Sequence, residues 1–348
     1  MTAGLVILLV LAGWIWSAWR GPREPVYSGK YLSEWLLPTD PGFVWLPTDV
    51  YGHIHDEMWD KLIALGKPPV VSQDSTQSSS TVSAQFAAIA PDDRRPNLGP
   101  EAIPWLVRWM EAQPSAMDHL VTRAAPWLPL AARQFLSRFD DRPWTGRAGR
   151  WQVAAHEGFV ILRTNAVSAV PALARLMERE DAELPLALSL IDLGSEGTQV
   201  VVHALEGPSS SRRDTAALAL GMSESRDAIP ALLRCVEDGH AGYHVLGAIG
   251  RIEPVQPRLV VPLIHVLESS SNSNVRENDQ MMTILLLGLQ GATASNALPV
   301  LTRLHAALSS DEANAERRLL RRVIRSISPD AERRLPPPGP RDDSDEWP

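Results

Sequence analysis

The chain has 348 residues, with 45% apolar and 21% charged side chains, a composition that excludes wholesale disorder, collagen and coiled coil. Its 41 acidic against 33 basic residues give a net charge of −8, which argues against a general nucleic-acid binder. One cysteine, Cys235, excludes an intrachain disulfide framework and a cysteine-based zinc site.

In chain order, the first feature is Ala3 to Trp19, which carries no charge. At 1.5 Å per residue a helix of that length just reaches the lower limit for spanning a hydrocarbon core. Trp14, Trp16 and Trp19 crowd its carboxyl end and Arg20 follows, as at a membrane–water boundary. A single-pass anchor is the expectation, with a cleaved signal and a buried helix as alternatives. Against cleavage stand the lack of a basic residue before the apolar run and of a small-x-small site. Arg20, Arg23 and Lys30 after the segment lean the following chain towards the cytoplasm, although the side stays open. Residues 25–71 read as an aromatic-rich helical module. Within them GHIHDE offers His53, His55 and Asp56, a possible metal pair plus carboxylate with no identifiable third protein ligand of the usual kind. The polar run from Ser72 to Ser83 opens a linker reaching residue 97.

From there the chain repeats itself. EAIPWLVRW (from Glu101), SAVPALARL (Ser168), DAIPALLRC (Asp227), LVVPLIHVL (Leu259) and NALPVLTRL (Asn296) share an apolar residue, a proline, and apolar residues two and five positions on. TQVVVHAL fits the same frame with Val200 in the proline's place, and the period is about thirty residues. Proline costs little in the first turn of a helix, where its missing N–H has no intrahelical acceptor. An Ala/Leu/Gly run precedes each copy, read as a first helix whose glycine suits a left-handed carboxyl cap. One helical hairpin per unit follows, and hairpins of this kind must stack to bury their apolar faces. The segment 126–151 fits no copy and reads as an insertion.

These residues resemble HEAT repeats, in particular the short bacterial kind also present in phycobilin-lyase proteins, with a pattern like A-x-x-A-L-G followed by A-I-P-A-L. The resemblance covers 154–308 most clearly and extends less regularly to 98. It implies an all-α fold, an α-solenoid over 98–326 with an N-terminal transmembrane helix. PVYSGKYLSEWL, from Pro25, resembles a box found just after the anchor in some bacterial membrane-attached HEAT-repeat proteins.

Four positions after the reference proline stand Arg108, Arg175, Arg234 and Arg303, with Ala204 and Val266 in the other two copies. If positions −1, +2 and +5 face the core, +4 lies about 200° round the helix from +2 and is exposed. The resemblance places such a column along the inner groove of a solenoid, where it would suit acidic protein segments. A solvated face is the plainer alternative. His240 and His244 would share a helix face but lack the glutamate of the zinc-protease pattern. Cys235 falls at an apolar repeat position and reads as a buried thiol, and His156 as a structural residue. The tryptophans outside the anchor read as packing. No G-x-S-x-G, G-x-x-x-x-G-K-[ST] or strand-linked G-x-G-x-x-G occurs.

The helix over 311–326 carries Leu319, Leu320, Val323 and Ile324 on one side and five arginines on the other. It is expected to cap the array, with lipid docking as the alternative. The proline-rich, acidic stretch 335–348 reads as a disordered tail. The functional expectation is a membrane-anchored, non-enzymatic scaffold for an unidentified protein partner. No metal or cofactor is expected, nucleic acid is an unlikely partner, and a ligand-binding or lyase-like enzyme of the bilin-lyase type is the rival.

Overall fold

A computed structural model describes residues 24–27, 29–36, 97–113, 146–270, 277–308 and 314–336. The described residues are mostly helical, as an all-α fold requires. The chain divides into two compact units, one of residues 1–40 and 92–162 and one of 41–91 and 163–348. The expected N-terminal membrane helix lies outside the described residues, as do Trp14, Trp16, Trp19, Arg20, His53, His55, Asp56 and the tail beyond Pro336.

The described part of the first unit begins with a β-hairpin, where residues from 25 on were expected to be helical. Strands β1 (Val26–Tyr27) and β2 (Lys30–Tyr31) are antiparallel, pairing Val26 with Tyr31 and Tyr27 with Lys30. Gly29 makes the turn possible at φ 82°, which an L side chain rarely adopts. Helix α1 (Leu32–Leu36) follows at once, and side chains tie it to the hairpin. The Leu32 N–H donates to Pro25 O at 3.0 Å, the Ser33 N–H to Glu24 Oε2 at 3.1 Å and Trp35 Nε1–H to Tyr27 O at 2.9 Å. The box that stood out in the sequence is therefore one hairpin–helix motif. Helix α2 (Ile103–Met110) carries Pro104 in its first turn and packs on α3 (Gly146–Leu162), as does α1. Their seam holds Trp109 against Trp151, ring centroids 4.7 Å apart. Gln152 Nε2–H donates across it to Ala112 O at 3.1 Å. Helix α3 starts at Gly146, so the end of the segment read as an insertion is helical.

The second unit strings together α4 (Val170–Met177), α5 (Leu184–Asp192), α6 (Ser195–Leu205), α7 (Ser210–Met222), α8 (Ile229–Glu237), α9 (Tyr243–Ile252), α10 (Val260–Ser270), α11 (Glu277–Leu289), α12 (Leu298–Ala307), α13 (Asn314–Ile327) and α14 (Pro329–Arg333). Helix α5 packs on α6, α6 on α7, α8 on α9, α10 on α11 and α12 on α13, while odd-numbered helices from α5 to α13 pack on the odd ones either side, as even ones from α4 to α12 do on even. Two layers result. The odd helices from α5 to α11 are first helices, enclosed by neighbours. Residues 184–190, 216–222, 245–250 and 282–289 are buried without a break, which is why they read as near-continuous apolar runs. The even helices are second helices, buried on one side only.

Of the first-helix glycines that looked like caps, Gly291 takes the left-handed backbone, while Gly158 and Gly221 are packing positions. A Cβ on Gly221 would come within 2.9 Å of Ala248 Cα, and one on Gly158 within 2.4 Å of Leu106 Cδ2. Left-handed backbone after these helices is supplied by Arg163 (φ 49°), Gly194 (φ 102°), Glu224 (φ 50°) and Gly291 (φ 56°), so glycine serves the turn in two cases of four. Side chains further along the chain also catch carbonyls at helix ends and in linkers. Arg213 donates to Leu205 O and Gly207 O at 3.2 and 2.9 Å, Gln290 to Pro254 O at 2.6 Å, and Ser326 to Gly288 O at 3.0 Å. Each such bond satisfies a carbonyl that would otherwise turn to water.

Among the described residues one helical stretch, Trp151–Met177, is long and apolar enough to cross a membrane by length and composition, with hydropathy 1.3. Its backbone is interrupted midway, by Arg163 in the left-handed region and by Ala166 at φ −104°, ψ 18°. A break of that kind exposes peptide groups that a bilayer cannot satisfy. Arg163 is also exposed, while Phe159, Leu162 and Leu173 are at most 3% exposed inside the protein. The stretch buries one side in the protein and leaves the other in the open.

The unit ends on α13, which buries Leu319, Leu320, Val323, Ile324 and Ile327 to 4% or less. Helix α14 folds back on it, with Ser328 accepting from the Ala331 N–H. Glu332 accepts from Arg321 and Arg325 at 3.1 and 3.2 Å, drawing two of the five arginines into intramolecular pairs.

Candidate functional site

The second helices build an exposed face whose composition repeats. In α4, α8 and α12 the reference prolines Pro171, Pro230 and Pro299 are exposed, and so are Arg175, Arg234 and Arg303 four residues later. In α2 of the first unit, Pro104 and Arg108 behave alike, and Arg108 lies over the Trp105 ring at 5.9 Å. The predicted exposure of all four arginines is what the fold gives.

The two copies without an arginine need a correction of one residue. Ala204 is 8% exposed, so it cannot stand in an exposed column, and Val266 is half-buried. In α6 the residues facing inward are Gly197, Val201, Ala204 and Leu205, and in α10 they are Val260, Leu263 and Leu267. These align with Ala228, Leu232, Cys235 and Val236 of α8 only when Gln199 and Val261 occupy the proline's place. The exposed residues four positions on are then His203 and His265. Across α4, α6, α8, α10 and α12 the column reads Arg175, His203, Arg234, His265, Arg303.

With the register set, a second column appears that sequence reasoning missed. Seven positions after the reference stand Glu178, Glu206, Glu237 and Glu268, all exposed, with Ala306 at the end, and Glu111 holds the same place in α2. Reference, +4 and +7 positions point within about 60° of one another on a helix, so they form its outermost ridge. The basic and acidic columns are three residues apart, about 4.5 Å along each helix. They meet at Glu206. Arg234 Nη2 lies 2.6 Å from Glu206 Oε1 of the preceding second helix, and His203 Nδ1 lies 3.7 Å from Glu206 Oε2. The Arg175 Nε–H turns back to Pro171 O at 3.2 Å.

Beside the ridge an open cleft of about 760 Å³ lies among α7, α8, α9, α10 and α11. Its wall includes Glu237 and His265 from the two columns, together with His240, Tyr243 and His244. Asp279 Oδ1 accepts the Tyr243 N–H at 2.8 Å and so caps α9 from the next hairpin. His240 sits in the linker before α9, not on one helix with His244. Among the described residues no group of three or more His, Cys, Asp or Glu is placed to hold a metal ion.

Two buried groups lie away from the cleft lining. Cys235 is 3% exposed, its Sγ 3.5 Å from Leu205 O, and burial pushes the thiol pKa up. His156, 4% exposed in α3, is held neutral by burial, its pKa lowered to about 4. Comparison with family models, curated proteins and solved structures finds no match to this chain.

Proposed function

We propose that this chain is a membrane-anchored α-solenoid of HEAT-like hairpins that works by binding another protein rather than by chemistry. The observation that carries the reading is the repetition on the exposed ridge of α4 to α12, where each helix presents a reference residue, a base and, in four of five, a glutamate in the same order. A surface that repeats suits a partner that repeats. Packed helices lie about 8–10 Å apart, and an extended polypeptide advances about 3.3 Å per residue. Every third residue of such a segment would meet the next helix. Since the face offers both signs, the matching segment carries both, and a nucleic acid, with one sign only, would meet the glutamate column as well as the bases. The anchor of residues 3–19 would hold this surface at a membrane, with the charges after it leaning the domain towards the cytoplasm.

The test is photo-crosslinking in cells from probes placed singly at Arg175, His203 and Arg303, with Glu224 and Glu253, exposed sites off the ridge, as controls. One partner crosslinked from the ridge probes and not from the controls supports the reading. Equal crosslinking everywhere, or none from the ridge, refutes it.

The cleft favours one second reading, a ligand-binding or lyase-like activity, because it gathers three histidines and Tyr243 in a single concavity. A small molecule retained by the purified protein, and lost on changing His240 or His265 to Ala, would move that reading ahead.

A further inference from the structure

The hairpin β1–β2 holds an outward apolar pair. Val26 and Tyr31 are cross-strand partners, so their side chains share one face, and they are 55% and 50% exposed. The neighbouring pair position turns the other way, with the Tyr27 hydroxyl carried inward beside Glu101. The pair is not on a frayed loop. The Tyr31 N–H donates to Glu34 Oε2 at 3.0 Å, and bonds from Leu32 to Pro25 and from Ser33 to Glu24 lock the strands to α1. A folded, hydrogen-bonded motif is thus spending its rigidity on keeping a valine and a tyrosine in the open.

Position along the chain says what would cover them. Val26 follows Trp19, the last residue of the uncharged run, by seven residues, a reach of at most about 25 Å even when fully extended. The charges around it are Arg20, Arg23 and Lys30 against Glu24 and Glu34, a balance that an acidic leaflet tolerates. Tyrosine, with an apolar ring and a polar tip, favours the boundary between acyl chains and headgroups. Two side chains alone would bind a bilayer weakly, but a short tether raises their effective concentration at the surface to the millimolar range.

We infer that the Val26–Tyr31 face docks into the lipid interface beside the anchor and fixes how the hairpin–helix motif stands on the membrane. The inference rests on the anchor proposed above. It assigns the box PVYSGKYLSEWL a role as a membrane-facing foot, with the bilayer as the occupant of its exposed face.

The experiment uses the full chain with single cysteines at Leu8, Val26, Tyr31 or Val255, each carrying an environment-sensitive fluorophore. Cys235 is buried and escapes labelling; Val255, 54% exposed in the second unit, is the water-facing control. The protein is placed in phosphatidylcholine–phosphatidylglycerol vesicles containing lipids brominated near the headgroup. Expected are a blue shift at 26 and 31 and quenching several-fold stronger than at 255. Quenching at 8 with 26 and 31 behaving like 255 overturns the docking inference and leaves the anchor standing. No quenching at 8 removes the anchor, and the inference falls with it. Should a label disturb the hairpin, Val26→Asn in the unlabelled protein is the second measurement: hydroxyl-radical oxidation of Tyr31 on vesicles rises several-fold over wild type if the face is docked, and is unchanged if it is not.

Discussion

Gly197→Ala separates the two registers available for α6, because they predict opposite signs. In the register read from the sequence, with Val200 in the proline's place, Gly197 corresponds to Glu101, Ser168, Asp227 and Asn296, all exposed. Alanine there would stabilise the helix by about 1 kcal/mol on propensity alone. In the register set by burial, Gly197 corresponds to Ala102, Ala169, Ala228 and Ala297, all buried against a first helix. A Cβ on Gly197 would lie 1.9 Å from Leu190 O and 2.7 Å from its carbonyl carbon. To restore an ordinary contact of 3.4 Å, α5 and α6 would have to part by about 1.5 Å, and Leu190 is fully buried, so α5 has no room to give. Overpacking costs about 1–3 kcal/mol, and a clash with backbone belongs at the upper end. Less the propensity gain, the net is about 2 kcal/mol of destabilisation, or roughly 4–8 °C in Tm for a unit of this size. Thermal and urea unfolding followed by far-ultraviolet circular dichroism measure it, with hydrogen exchange over 184–205 showing where protection is lost. A variant as stable as wild type, or more so, would refute the close approach and the corrected column with it.

Two further predictions concern titration. His156 has its pKa lowered by burial to about 4, so the folded state resists the proton that the unfolded chain takes up near 6.5. Stability is full above that value and falls as pH drops towards 4, by roughly 3 kcal/mol in all; His156→Met should flatten this part of the stability–pH curve in urea titrations, and an unchanged slope would show that His156 does not carry it. Glu332 is pushed upward by its burial but held below the usual range by hydrogen bonds from Arg325 and Arg321, so its contribution is present above the unfolded carboxylate pKa and lost as pH falls through the folded one. Glu332→Gln should cost about 1 kcal/mol and speed amide exchange in α14; unaltered exchange there would mean that the pairs do not hold the helix.

The period, the hairpin and the start of each second helix were legible because proline in the first turn marks a place that no other interior helix position allows. In α6 and α10 the reading slipped by one residue. In α6 no proline marks the place that Gln199 occupies, and in α10 the proline itself, Pro262, stands one residue after the place that burial gives to Val261. One residue is about 100° of rotation, enough to bring Ala204 into the column on paper and turn His203 and His265 out of it. First-helix glycines misled for a related reason. Glycine serves a left-handed turn and a close helix contact equally well, and only the packing of Gly221 on Ala248 tells which is in force. The hairpin at 26–31 was hidden because two-residue strands have no periodicity to show.

The sign of the surface field was harder to read than its location. Four arginines at one exposed repeat position suggested an anion-binding groove. A column, however, is only half of a ridge, and the glutamates three residues further on were invisible until the register placed them. Arg175, His203, Arg234 and His265 each have a glutamate one helical turn away on their own helix, and Arg234 also reaches Glu206 of the preceding second helix. Pairs this exposed contribute at most about 1 kcal/mol each, so they break readily in favour of a partner that offers the same charges in the same spacing. What such a face can select is therefore the arrangement of charge along a segment rather than its amount, and its binding should weaken far less steeply with salt than binding to an uncompensated arginine column would.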